Sequence, residues 1–132
     1  MDYGRRLDSI ISKKFLPLVL WCVLIFIGSS IPGASVSKNP LVDFILHKGV
    51  HIIEYFFLFV FSYRVFGKKA LLSFTFVFFY SLLDEFHQRF VPGRNGRIED
   101  TFVDLTGAFF GFIFVWKLLH ILPNRLRNWL LA

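Results

Sequence analysis

Four apolar runs separated by short polar segments set the pattern of the chain, and each is long enough to be predicted as a membrane-crossing helix. The first, residues 15–31, holds 17 residues without a charge; Pro17 falls in its first turn, and Ser29, Ser30, Pro32 and Gly33 close it. The second is predicted over residues 46–66 after a polar connection containing Lys38, Asn39 and Pro40. A tight turn flanked by Arg64, Lys68 and Lys69 leads into the third, residues 70–90. Pro92, Gly93 and Gly96 punctuate the loop before the fourth, residues 101–122.

Apolar positions recurring at helical spacing predict two more elements. Tyr3, Leu7, Ile10 and Ile11 form an apolar stripe beside Arg5, Arg6, Lys13 and Lys14, the pattern of a short amphipathic helix on a membrane surface. Leu122, Leu126, Trp129 and Leu130 repeat that pattern after Pro123. The expected fold is all-α: one domain over residues 1–132, with four transmembrane helices and a short amphipathic helix at each end. The basic start and small-residue close of the first run also fit a cleaved signal peptide. Its apolar part is longer than such a segment needs, and three spans follow, so the run is expected to be retained.

Composition agrees with the pattern. With 55% hydrophobic residues, 19 phenylalanines and a mean hydropathy of +0.60, the chain is too apolar for a soluble domain of 132 residues. Cys22, the only cysteine, lies within the first apolar run, which excludes an internal disulfide and a cysteine-built metal site. The net charge of +6 comes from basic clusters at the ends of apolar runs and from no separate basic face, so nucleic acid is not expected as a partner. Membrane lipid is. With four spans both termini share one side, together with the second loop. Ten basic residues fall there (Arg5, Arg6, Lys13, Lys14, Arg64, Lys68, Lys69, Lys117, Arg125, Arg127) against five on the other side, which makes that side cytoplasmic.

The charge-rich stretch from Ser81 to Gly111 then faces outward, and candidate chemistry concentrates in it and in the start of the second span. At about 1.5 Å per residue, Glu54, Glu85 and Asp104 come to similar depth on three helices. Asp84 shares a face with His87 and Gln88, while Asp100 and Asp104 share one with Gly107, Ala108 and Gly111, small residues that let helices approach. Charge inside a membrane is costly and is expected to point into the bundle and to serve function. Glu85, His51 and His87 are the candidate acid–base groups. Lys48, Glu54, Asp84, Gln88, Arg94, Asp100 and Asp104 are candidates for holding a ligand, with Arg94 turned back by the Pro92-Gly93 turn towards Glu85 or Asp100. A divalent metal on Asp84, His87, Asp100 and Asp104 has suitable donors but no recognised ligand motif, and the sequence names no cofactor.

The run D-E-F-H-Q-R-F-V-P-G-R from Asp84 to Arg94, followed by Asp100, Asp104, Gly107 and Gly111, resembles the VanZ-like family of small bacterial membrane proteins. K-G-V-H-I-I-E-Y from Lys48 to Tyr55 and S-S-I-P from Ser29 to Pro32 extend the resemblance over nearly the whole chain. It implies a bacterial inner-membrane protein at the cell envelope, in a family named for resistance to the glycopeptide teicoplanin. Two functions stay open. One is an enzyme modifying an envelope lipid, a lipid-linked cell-wall intermediate or a glycopeptide-related ligand, with Arg94 and Lys48 gripping an anionic headgroup. The other is a non-catalytic protein that binds such a ligand or organises envelope partners, alone or as an oligomer.

Overall fold

The computed structural model describes residues 2–33 and 37–132, with residues 2–12 described in their backbone only. It is all-helical: α1 (Asp2–Ser30), α2 (Pro40–Val65), α3 (Ala70–Gln88), α4 (Asp100–Ile113) and α5 (Asn124–Leu131). A π-helical turn, Phe114–Leu118, and a 3-10 turn, Leu119–Ile121, carry α4 onward to Pro123. No strand occurs among the described residues.

Boundaries depart from expectation where a cap or a fused segment intervenes. The start of the chain and the first apolar run form one continuous helix, α1, where two elements were expected. The apolar stripe of Tyr3, Leu7, Ile10 and Ile11 lies outside the residues whose side chains are described. α2 begins at Pro40, earlier than the expected start at residue 46. Asn39, read from sequence as part of a connection, caps it by accepting from the backbone N–H groups of Leu41 and Val42, and Pro40 fits the first turn. α5 is a separate helix, as its spacing predicts.

Among the described residues three helical segments, not four, are both long and apolar enough to cross a membrane: Lys13–Ser30, Pro40–Val65 and Asp100–Ile121. The third expected span, α3, has 19 residues, but its last turns carry Asp84, Glu85, His87 and Gln88, which lower its hydropathy. Many apolar side chains of the four long helices remain exposed, as for Leu24, Leu41, Leu71 and Phe102. Such a surface suits lipid and not water.

The core runs along the bundle through Leu18, Ile25, Tyr55, Leu58, Phe59, Val77, Ala108 and Val115. α2 is central and packs most closely on α4. Gly107 and Gly111 make that approach possible: a Cβ at Gly107 would lie 2.3 Å from the Ile52 carbonyl oxygen, and one at Gly111 2.8 Å from that of Phe56. Cross-helix hydrogen bonds fix α1. The Trp21 indole donates to the Glu54 carbonyl at 2.8 Å, and the Tyr80 hydroxyl donates to the Cys22 carbonyl at 2.6 Å.

The two ends of the bundle are tied differently. At one, Arg64 of α2 donates to carbonyls of Lys13, Lys14 and Trp129, gathering α1 and α5. At the other, the α3–α4 loop folds over the end of α1: Gly33 N–H donates to the Pro92 carbonyl, and a Cβ on Gly33 would meet Gly93 O at 2.0 Å. Gly93 has φ +74°, a conformation open to glycine, so the clasp needs glycine on both sides. The second end also holds the charge-rich residues.

Candidate functional site

Asp104 stands at the middle of the site and is fully buried. It lies one turn into α4, on the face with Gly107, Ala108 and Gly111, so the close packing of α4 on α2 carries it to His51. His51 Nδ1–H donates to Asp104 Oδ1 at 2.9 Å, and the Ser81 hydroxyl of α3 donates to Oδ2 at 2.6 Å. A carboxylate so held fixes the imidazole's orientation. His51 Nε2 makes no hydrogen bond among the described residues.

Glu85 lies beside this pair. It is 2% exposed, its Oε2 accepts from Arg97 N–H at 2.8 Å, and its Oε1 has no hydrogen-bond partner among the described residues. One donor atom from each of His51, Glu85 and Asp104 falls within 4.8 Å of the others.

Asp84, its neighbour on α3, is turned towards α1. The Ser29 hydroxyl donates to its Oδ1 and Gln88 Nε2 to its Oδ2, the latter at 2.9 Å. Between these groups lies a cavity of about 310 Å³ bounded by Gly28, Ser29, His51, Glu54, Asp84 and Arg94, with Leu46 and Val50 as its apolar wall. A wider opening of about 490 Å³ continues past His51 to Lys48, Arg97 and Asp100. His47, His51 and Arg94 line both, so these three residues stand where the recess meets its mouth. Charged groups beside an apolar wall match the two ends of an amphiphile.

Several expected partners are different. Arg94 was aimed from sequence at Glu85 or Asp100; instead its Nε donates to Ile31 O at 3.1 Å and its Nη2 to Gly28 O at 3.0 Å. It thereby adds donors to carbonyls at the end of α1, and Arg94 lines the cavity. Lys48 forms an ion pair with Asp100 at 2.6 Å and stands over the Phe44 ring, so it is not a free headgroup cation. His87 pairs with Ser30 Oγ at 2.9 Å, and its ring lies tilted against Phe26 with centroids 4.4 Å apart, so its partners are on α1.

The metal set read from sequence does not assemble. Asp84, His87 and Asp100 have the separate partners just given, and only Asp104 joins the group of donors that converges among the described residues. Similar depth placed Asp104 and Glu85 together, but Glu54 lies on the Gly28 side, with its Oε1 3.6 Å from where a Gly28 Cβ would be. Ser29 and Ser81 escaped the sequence reading although both position a carboxylate. Their signal was available: Ser81 precedes Asp84 and Glu85 by three and four residues, hence shares their face, and is fully buried.

The architecture and surface define the class as an all-helical protein with helices long and apolar enough to cross a membrane and a buried polar centre at one end. A family model described as VanZ/LLP1 matches residues 14–121, and the chain belongs to that family. The matched region contains α2, α3, α4 and every residue of the centre. Comparisons with curated proteins and with solved structures give no match.

Proposed function

We propose that this VanZ/LLP1 protein sits in the bacterial inner membrane with four spans, α3 being the fourth, and takes the polar head of an envelope amphiphile into the cavity beside His51. The ligand class is an envelope lipid, a lipid-linked cell-wall intermediate or a glycopeptide-related molecule, and the reaction is a modification through proton transfer at His51 Nε2. Asp104 is a positioning residue. It holds the imidazole through Nδ1 and is itself held by Ser81. The observation carrying this reading is the Ser81–Asp104–His51 chain, which ends on the wall of a cavity with an apolar side. The site belongs to the extracytoplasmic leaflet, because the arginine and lysine excess lies at the opposite end. A contribution to teicoplanin resistance is the corresponding cellular role.

The test is reconstitution of the full chain in nanodiscs of bacterial polar lipid, followed by mass spectrometry of the lipids. Wild type converts a lipid class and His51→Gln does not, while both unfold at similar temperature; conversion by folded His51→Gln at the wild-type rate overturns the reading. Teicoplanin susceptibility of cells carrying each form tests the cellular role.

Recognition without turnover is a second reading, favoured by the internal pairing of Lys48 with Asp100 and of Asp84 with Ser29 and Gln88. Under it, the same nanodiscs retain an extracted lipid on purification, Glu54→Gln lowers that retention, and no lipid changes mass.

A further inference from the structure

We infer that His51, Glu85 and Asp104 form a binding site for one divalent transition-metal ion of the Zn2+ or Mn2+ type. The inference rests on the proposed reading for its purpose, but its location rests on the geometry alone.

Three helices contribute one residue each: α2, α3 and α4 bring a donor atom apiece to within 4.8 Å of one another. The clearest sign is Glu85. A carboxylate oxygen that is buried and unpartnered is costly, and Glu85 Oε1 is such an atom on a residue 2% exposed. The other oxygen is held from outside the cluster by Arg97 N–H. Asp104 follows the same scheme, with Oδ2 held by Ser81 and Oδ1 turned to His51. Each acid therefore has one oxygen fixed by an outer donor and one directed inward, the arrangement by which a protein orients metal ligands.

Charge points the same way. Two buried carboxylates meet here, and among the described residues no lysine or arginine side chain pairs with either. Arg97 offers Glu85 its backbone N–H, Lys48 is paired with Asp100, and Arg94 is bonded to the carbonyls of Gly28 and Ile31. Buried anions need a compensating cation, and one imidazole cannot match two carboxylates.

The donor set selects the kind of ion. One imidazole nitrogen with two carboxylate oxygens suits Zn2+ or Mn2+, whereas Ca2+ calls for a cage of oxygens and Mg2+ keeps most of its waters. Three protein ligands leave coordination positions for water or for a headgroup oxygen. Because Asp104 faces Nδ1, an ion on that side takes the place of the proton shared by Nδ1 and Oδ1. The remaining imidazole proton then sits on Nε2, so in the metal-bound form that nitrogen is a proton donor.

The experiment uses the full chain in a non-ionic detergent, stripped with a chelator and titrated with Mn2+ under electron paramagnetic resonance, with Zn2+ as competitor. One Mn2+ binds per chain and is displaced by Zn2+. Glu85→Gln weakens binding at least tenfold, and Glu99→Gln, on the exposed loop, leaves it unchanged. Zn2+ also raises the wild-type Tm, a readout that needs no variant. No saturable Mn2+ binding, a Tm unmoved by Zn2+, or wild-type affinity in folded Glu85→Gln overturns the site. Tight Mn2+ binding without lipid conversion retains the metal site and removes only the enzymatic reading.

Discussion

Arg64 is buried at the end of the bundle away from His51, and a missing donor accounts for its surroundings. Pro17 has no N–H, so the Lys13 carbonyl four residues earlier loses its helical partner. Arg64 Nη1 donates to Lys13 O at 3.3 Å and Lys14 O at 2.8 Å, while Nε donates to Trp129 O at 2.7 Å. The guanidinium also lies over the Trp129 ring, 4.3 Å from its centroid. Arg64→Ala leaves these part-buried acceptors without their donors and is expected to destabilise the fold by about 1–3 kcal/mol. Arg64→Lys recovers only part of this, because one ammonium cannot reproduce the planar fork. Thermal unfolding in detergent should rank wild type above Lys above Ala; an Ala variant as stable as wild type removes Arg64 from the account. None of this was legible in sequence, where Arg64 read as a flanking cation. Its partners are backbone carbonyls 50, 51 and 65 residues away, which leave no side-chain signature.

Helix packing was more readable than side-chain partners, because it depends on a periodicity that the sequence displays. The face of α4 carrying Asp104, Gly107, Ala108 and Gly111 is buried, as their helical spacing predicts. That face also sets the site: Gly107 abuts the Ile52 backbone one residue beyond His51, three residues after Asp104. A methyl group at position 107 cannot be absorbed by rotating a side chain, since the obstacle is a carbonyl oxygen at 2.3 Å. Gly107→Ala is therefore expected to separate α2 from α4, costing about 1–3 kcal/mol, and to stretch the His51–Asp104 hydrogen bond. Gly49→Ala is the matched contrast. Its Cβ would meet nothing within 4 Å, and alanine favours the helix by up to about 1 kcal/mol. Thermal unfolding together with Mn2+ affinity checks both: position 107 loses in each measurement, and position 49 loses in neither. The start of α2 was misread for a local reason, because Lys38, Asn39 and Pro40 look like a loop until Asn39 is seen capping the helix.

At the scale of the whole molecule, run length and apolarity made the all-helical membrane class legible, and α3 is where that reading needs an experiment. The polar final turns of α3 hold Asp84 and Glu85 against neighbouring helices, so its low hydropathy reflects residues turned inward and not a helix suited to water. Inward placement lowers the cost of such residues in a membrane. The bundle's ends reinforce this. Arg64 gathers the Lys13–Lys14 region, the end of α2 and α5 at one end, while the end of α1, the start of α2 and the α3–α4 loop meet at the other. If α3 crosses, the exposed loop residues Lys68 and Asn95 lie on opposite sides of the membrane. Replacing Cys22 by serine removes the only cysteine, after which Lys68→Cys and Asn95→Cys can be labelled singly with a membrane-impermeant maleimide. In intact spheroplasts Asn95→Cys should react, whereas Lys68→Cys should react only after permeabilisation, as the greater arginine and lysine count at its end requires. Equal labelling of both would mean that α3 does not cross. Labelling of Lys68→Cys alone would place the His51 centre on the cytoplasmic side, and the ligand would then have to be drawn from the inner leaflet.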